Sequence, residues 1–312
     1  MEFKHTPIML EECLSGLDIK PDGIYVDGTL GGAGHSLEIV KRLSSKGKLI
    51  AIDKDIEAIK ASKEKLIDYT EKVIFVNDDF KNYESILQTL NIQKVDGILL
   101  DLGVSSYQID NKTRGFSYIN DAELDMRMNK QQDISAKQIV NEYDESKLVK
   151  IFFEYGEEKF AKSIARKIVQ KRQDQPITKT GELVDIIKSA VPPKVRYKAS
   201  HPAKKVFQAI RIEVNGELTK LDQSIKQMID SLKKDGQIAI ISFHSLEDRI
   251  VKQVFKKQVK DCICPPEFPI CICNHQASIK LINRKPLVAT SEEIMENSRS
   301  KSAKLRVAKK II

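Results

Sequence analysis

Four short apolar runs, each closed by an acid or an amide, dominate the first third of the chain. They are Gly23-Ile24-Tyr25-Val26-Asp27, Lys48-Leu49-Ile50-Ala51-Ile52-Asp53, Val73-Ile74-Phe75-Val76-Asn77 and Val95-Asp96-Gly97-Ile98-Leu99-Leu100-Asp101. Helical patterns lie between them over 36–43, 55–66 and 83–90, the second opening on Asp55, a residue suited to capping a helix start. Near-continuous apolar strands belong to a parallel sheet buried on both faces. The strand–helix alternation therefore predicts an α/β fold with a doubly wound sheet.

The alternation then stops. The next buried strand is 237–242, after the turn Lys234-Asp235-Gly236. An amphipathic helix over 217–232 precedes it and another over 246–260 follows. Two late strands, near 277–282 and 303–308, suit an antiparallel edge pair. The sheet domain is thus expected to be discontinuous, 1–105 and 204–312, around a helical insertion at 106–203. Within the insertion, 135–141, 146–155, 158–172 and 180–190 carry helical periodicity. In the third of these, Phe160, Ile164 and Ile168 form one stripe, and Lys159, Lys162, Arg166, Lys167, Lys171 and Arg172 lie mostly on the other. The segment closes with Pro192-Pro193, Lys194, Arg196 and Lys198.

The net charge of +8 is concentrated there. Residues 156–205 hold 13 Lys/Arg against 5 Asp/Glu, and the remaining 39 of each cancel. A basic surface of that kind suits a polyanion such as nucleic acid; a solvated helix face is the plainer alternative. No apolar run approaches the roughly 20 residues of a membrane-spanning helix. The opening Met1-Glu2-Phe3-Lys4-His5 lacks the pattern of a secretory signal. A cytoplasmic protein without a membrane partner is expected, monomeric or homodimeric, with its five cysteines reduced.

The first strand runs into Asp27-Gly28-Thr29-Leu30-Gly31-Gly32-Ala33-Gly34-His35 and then a helix. Glycines let a ligand approach the backbone, and a helix start offers free N–H groups to an anion. Asp53 ends the second strand about 20 residues on, where an acid holds ribose hydroxyls. The dinucleotide fingerprint G-x-G-x-x-G fails here. Counted from Gly32 its third glycine falls on Leu37, and counted from Gly34 its second falls on Ser36. A bunched glycine turn after an acid suits S-adenosylmethionine, which has no pyrophosphate. Asn77-Asp78-Asp79-Phe80 follows the third strand, where Phe80 would meet an adenine or simply fill core. His35 at the helix start has a capping role as its plain alternative.

Cys262, Cys264, Cys271 and Cys273 form C-x-C-x6-C-x-C around Pro265-Pro266. Four grouped thiols can bind zinc. The two-residue gap of zinc knuckles is missing, and a reduced loop is the alternative, so no metal ligand is assigned. Cys13 stands alone and is expected in the core.

Longer motifs run the length of the chain: His5-Thr6-Pro7-Ile8-Met9-Leu10-Glu11-Glu12, Asp101-Leu102-Gly103-Val104-Ser105-Ser106-Tyr107-Gln108, Arg114-Gly115-Phe116-Ser117, Leu124-Asp125-Met126-Arg127-Met128 and Tyr155-Gly156-Glu157-Glu158-Lys159-Phe160-Ala161. After the insertion come His201-Pro202-Ala203, Phe207-Gln208-Ala209-Ile210-Arg211-Ile212, Val214-Asn215-Gly216-Glu217-Leu218, Ser242-Phe243-His244-Ser245-Leu246-Glu247-Asp248-Arg249 and Arg299-Ser300-Lys301-Ser302-Ala303-Lys304-Leu305-Arg306. In this order the chain closely resembles the bacterial small-subunit (16S) ribosomal RNA cytidine-N4 methyltransferases, the MraW/RsmH family, over essentially its whole length. The resemblance implies a class I (Rossmann-like) S-adenosylmethionine methyltransferase sheet with a helical insertion. It implies methylation of the exocyclic N4 of a cytidine in the decoding region of small-subunit ribosomal RNA. It implies cofactor contacts at Ala33, Gly34, His35, Asp53, Phe80, Asp101 and Gln108. Ala33 stands where many members carry glycine; its methyl is expected to fit if the local φ is negative.

A cytosine amine is a poor nucleophile because its lone pair is delocalised into the ring, so hydrogen-bond acceptors beside its N–H bonds should help it react. DNA amino-methyltransferases use a Pro-Pro-aromatic loop after the fourth strand; Asp101-Leu102-Gly103-Val104 lacks it. Asp101, or a backbone carbonyl of Leu102 or Gly103, is the candidate acceptor, and anchoring cofactor is the alternative role for Asp101. The target base must leave its stack. Tyr107, Phe116 and Tyr118 are candidates to stack on it, or else to pack within the protein. The rivals are a DNA cytosine-N4 enzyme, which should carry the missing loop, and a small-molecule methyltransferase, which needs no basic insertion. From another class, a non-catalytic RNA-binding assembly factor would lack the need for Gly34, Asp53 and Asp101.

Overall fold

The computed structural model describes residues 7–196, 201–265, 267–268 and 270–312. His5-Thr6 of the opening motif, Lys198 of the basic segment and Pro266 of the cysteine loop lie outside the described residues.

In chain order the first elements are α1 (Leu10–Leu17), β1 (Ile24–Asp27), α2 (Gly34–Lys41), β2 (Lys48–Asp53), α3 (Ile56–Lys65), β3 (Val73–Asn77), α4 (Tyr83–Thr89) and β4 (Val95–Asp101). Helices follow: α5 (Ser106–Asp110), α6 (Ala136–Glu142), α7 (Glu145–Glu154), α8 (Ala161–Asp174), α9 (Thr180–Ala190), α10 (Pro193–Arg196), α11 (Ala203–Asn215) and α12 (Leu221–Ser231). The chain closes with β5 (Leu232–Ser242), α13 (Ser245–Gln258), β6 (Ile279–Leu281), α14 (Ser291–Glu296) and β7 (Lys304–Lys310). By contact it divides into two units, one of Met1–Gly103 with Lys220–Ile312 and one of Val104–Thr219.

The first unit is a seven-stranded sheet in the order β3-β2-β1-β4-β5-β7-β6. Strands β1 to β5 pair in parallel, and β7 runs antiparallel to both β5 and β6. The α/β expectation holds. The late strands do pair antiparallel at one edge of the sheet, with β6 outermost and β7 joining it to β5. The β7 sequence Lys304-Leu305-Arg306-Val307-Ala308 alternates, yet Arg306 is buried too, since its Nε donates to Asp248 Oδ1 of α13 at 2.7 Å. Asp96 ties three strands at their start, where its Oδ2 accepts from Ile24 N at 2.8 Å and from Lys233 Nζ at 2.7 Å. Parallel pairing aligns the strand ends: Asp27 stands beside Ala51 and Leu99, Asp53 beside Asn77 and Asp101 beside Ile241. Three carboxylates therefore share the carboxyl edge of the sheet, where ligands of open α/β sheets bind. Asp55 caps α3 as expected, accepting from Glu57 N at 3.0 Å, and Cys13 is fully buried.

The second unit has its own apolar core, which includes Ile139, Leu148, Phe152, Ile164, Ile168, Leu183, Ile187, Val206, Phe207 and Ile210. Helix α8 presents Ile164 and Ile168 to that core and leaves Lys162, Arg166, Lys167 and Lys171 exposed, so the two stripes separate as the spacing predicts. The unit continues past 203 because α11 buries Val206, Phe207 and Ile210 in the same core. The helix expected over 217–232 begins only at Leu221: Gly216, at φ 57, ends α11, and a new helix starts beyond it. The motifs of this unit are joined by hydrogen bonds. The Arg114 guanidinium is buried and donates to the carbonyls of Arg127 (2.8 Å) and Met128 (3.1 Å). Asn215 accepts from Met128 N and donates to Met126 O, both at 2.8 Å.

Candidate active site

The turn after β1 is held from below. Gly28 N donates to Leu99 O at 2.9 Å and Leu30 N to Ile52 O at 3.0 Å, anchoring the turn to β4 and β2. Asp27 is buried and accepts from Thr29 N (3.0 Å) and Ser36 Oγ (2.7 Å). Burial pushes its carboxyl above the ordinary range, and these hydrogen bonds oppose that rise. Thr29 Oγ1 also accepts from Asp101 N at 2.6 Å, locking the ends of β1 and β4 together.

Gly34 opens α2 under Pro7: a Cβ there would stand 2.3 Å from the Pro7 ring. Among the described residues no atom lies within 4 Å of the corresponding position on Gly32, so a Cβ there would meet none of them. Ala33 departs from expectation. Its φ is +53°, in the left-handed region, not negative. The methyl is accommodated all the same, because it is fully buried in the apolar cluster that contains Leu30, Ile39 and Leu43.

Asp53 reaches back to the turn. Its Oδ2 accepts from Gly31 N and its Oδ1 from Asp55 N, both at 2.8 Å. Burial pushes this carboxyl up to about 6. Each oxygen keeps a second lone pair for a hydroxyl donor. Phe80 follows β3, is half-buried and begins a short 3-10 turn capped by Asp79. Asp101 ends β4 with its Oδ1 buried and, among the described residues, without a hydrogen-bond partner. Burial, and then the charges of Asp27 and Glu247, push it up to about 8. His35 Nε2 lies 3.0 Å from Ile8 O, and burial brings its imidazole down to about 4.

Ala33, Gly34, His35, Asp53, Phe80 and Asp101 thus belong to one edge of the first unit. Gln108 belongs to the second unit, where it is buried and closes a capping box with Ser105 at the start of α5. Among the stacking candidates, Tyr118 lies flat on His201 (centroids 4.8 Å, 13°) and edge-on to Phe207, so it takes the packing alternative. Phe116 packs against the core of its unit with the Arg114 guanidinium 5.9 Å from its centroid. Tyr107 is 51% exposed. Sequence reasoning missed Thr29, Ser36 and Glu247 as groups that set the charge of this edge. The first two were visible as hydroxyls flanking the glycines, whereas Glu247 reaches it only through folding.

The MraW methylase family matches this chain over residues 2–311. The chain belongs to that family. It is 58% identical to a protein of Clostridium botulinum over 311 residues, 55% to one of Finegoldia magna over 313 and 53% to one of Lachnospira eligens over 311. Each alignment covers the whole of this chain and 99–100% of the relative, and all three relatives are named ribosomal RNA small subunit methyltransferase H. This member of the MraW methylase family is an S-adenosylmethionine-dependent methyltransferase. Its strand edge fits that cofactor: among the described residues no donor meets the buried Asp101 Oδ1, which awaits one or a cation, and no atom would crowd a Cβ on Gly32. Among the described residues no helix is long and apolar enough to cross a membrane.

Proposed function

We propose that this enzyme methylates the exocyclic N4 of a cytidine in the decoding region of small-subunit ribosomal RNA, in the cytoplasm. The names of its full-length relatives support the RNA. The observation that carries the chemistry is Asp101, a carboxyl at the edge of the sheet with an oxygen unpartnered among the described residues. In this reading Gly34, Ala33 and His35 line the cofactor's amino-acid end, Asp53 takes the ribose hydroxyls, Phe80 meets the adenine, and Gln108 is a further cofactor contact. S-adenosylmethionine, when bound, supplies a methyl group already activated by its positively charged sulfur.

The chain's part is alignment and proton handling. Asp101 Oδ1 accepts an N–H of the cytosine amine, which localises the nitrogen lone pair. The same carboxylate then takes the proton that N4 must lose. A pKa near neutrality suits that task, since general acid–base groups work best near the operating pH. His35, brought down to about 4, is too weak a base for it. The exposed Lys162, Arg166, Lys167 and Lys171 of α8 hold the RNA backbone, and Tyr107 offers a face to a displaced base.

The test is transfer of a labelled methyl from S-adenosylmethionine to small subunits isolated from cells lacking the enzyme, followed by mass mapping. One methyl on a cytidine N4 is expected. A methyl on a ring carbon or a ribose oxygen overturns the assignment, as does cofactor binding without transfer.

A further inference from the structure

The loop between α13 and β6 carries a side-chain cluster that the methyl transfer does not use. Its base is zipped shut: Ser278 N donates to Gln258 O at 2.8 Å, Ser278 Oγ to Gln258 Oε1 at 2.6 Å and Ala277 N to Asp261 Oδ1 at 3.3 Å. Above that base the chain runs out and back, with a Cys-x-Cys on each arm, Cys262 and Cys264 on one and Cys271 and Cys273 on the other. All four are free thiols, and their sulfurs lie within 4.8 Å of one another. Cys271 and Cys273 Sγ are 3.6 Å apart, and Cys273 and Cys262 Sγ 3.8 Å.

We infer that these four cysteines form a mononuclear zinc site that orders this loop. The spacing is the first support. Four sulfurs placed tetrahedrally at about 2.3 Å from a metal stand about 3.8 Å from each other. A disulfide needs its sulfurs at about 2.05 Å, far closer than these.

Backbone donors are the second support. Ile263 N donates to Cys273 Sγ and Ile272 N to Cys264 Sγ, each across the arms at 3.4 Å, and Cys264 N donates to Cys262 Sγ at 3.4 Å. Such N–H groups stabilise sulfur that carries negative charge, and they orient metal ligands from behind. The one-residue gap within each pair therefore does not disqualify the site. The opposite arm supplies two of the three donors, which ties the arms to each other.

The third support is what the loop lacks. Ile263, Phe268, Ile270 and Ile272 are 48%, 47%, 74% and 67% exposed, so among the described residues no apolar core holds the arms together. A metal cross-link supplies that order directly, as structural zinc does in small domains. A tetrahedral all-sulfur donor set selects zinc or iron, and a redox-silent structural role selects zinc.

The full chain, purified under reducing conditions without chelator, is expected to hold one zinc per chain by mass spectrometry of the metal. A Cys262→Ser/Cys273→Ser variant should hold none, and Cys13→Ser should keep its full complement. Cobalt(II) titrated into the zinc-stripped protein reads the site without any variant, through the intense visible bands of a tetrahedral thiolate complex. Chelation should open the loop at 262–273 to protease while the sheet survives. Zinc-free protein with four reduced thiols and no cobalt spectrum overturns the site. So does zinc that persists in the double-serine variant, and one equivalent of iron overturns the choice of metal.

Discussion

His35 presents Nδ1 to Asp101 Oδ2 at 3.9 Å while its Nε2 lies 3.0 Å from the carbonyl oxygen of Ile8. A carbonyl only accepts, so the proton sits on Nε2 and a bare nitrogen lone pair faces Asp101. The pair thus divides its roles: the histidine is a fixed neutral wall and the carboxyl is the group able to move a proton. Asp101→Asn is expected to lower kcat by about 10²–10⁴-fold, the range for loss of a general acid or base. His35→Gln should chiefly raise the cofactor's Kd and leave kcat at saturating cofactor within about tenfold. Equal kcat losses in both variants would refute this division.

The same carboxyl leaves a signature in stability. Folding raises Asp101 from 3.8 to about 8, so between those values the folded chain keeps a proton that the unfolded chain has released. Stability from this group therefore falls as pH rises through that window. His35 acts oppositely, because folding lowers it from 6.5 to about 4, and its effect is confined below 6.5. Asp53, raised to about 6, has also finished titrating by then. From about 6.5 to 8 Cys273, brought down to about 6, acts in the opposite sense, so Asp101 is read as a difference between two proteins. Urea denaturation across that interval should show wild-type stability declining relative to Asp101→Asn as pH rises.

Much of this site was legible because its determinants are local. The three strand-ending acids, the glycine turn and the capping Asp55 follow from period, composition and spacing over a few residues. What was not legible depends on distant groups. The left-handed Ala33 is set by how the turn closes on Leu30 N–H and carbonyl partners, including Ala33 N to Leu30 O at 2.7 Å. The interior position of β7 is decided by pairing with β5 across some sixty residues of sequence, since Ser242 stands opposite Lys304. Tyr118 looked available for a base because His201, which covers it, is far along the chain.

Pro7 and Gly34 make a steric pair that a double-mutant cycle should expose. Gly34→Ala drives a methyl to 2.3 Å from Pro7 Cγ, at the mouth of the cofactor turn. Overpacking of this kind costs about 1–3 kcal/mol. Pro7→Ala removes Cγ and Cδ and should recover part of that loss, a coupling of at least about 0.5 kcal/mol. Thermal unfolding of the two single variants and the double variant measures it, and strict additivity would show that the contact does not matter.

Arg114 tests whether the second unit is held by its motifs. Its buried guanidinium binds the carbonyls of Arg127 and Met128, so Arg114→Met leaves buried acceptors without donors. A loss of about 2–4 kcal/mol is expected. Limited proteolysis should then cut first within 104–219, and cleavage starting in the sheet instead would contradict this.

The basic face of α8 predicts a particular salt dependence. Lys162 and Lys167 are exposed on the side of the helix away from Ile164 and Ile168, so reversing their charge leaves the core untouched. Each phosphate contact to single-stranded RNA contributes about 0.7 to the slope of log affinity against log salt. Lys162→Glu/Lys167→Glu should therefore flatten that slope by about 1.4 for ribosomal RNA, and weaken binding most at low salt, where screening is least. Cofactor affinity should not change, since neither lysine is among the proposed cofactor contacts. A parallel, uniformly weaker salt profile would place the RNA elsewhere and leave α8 as a solvated face.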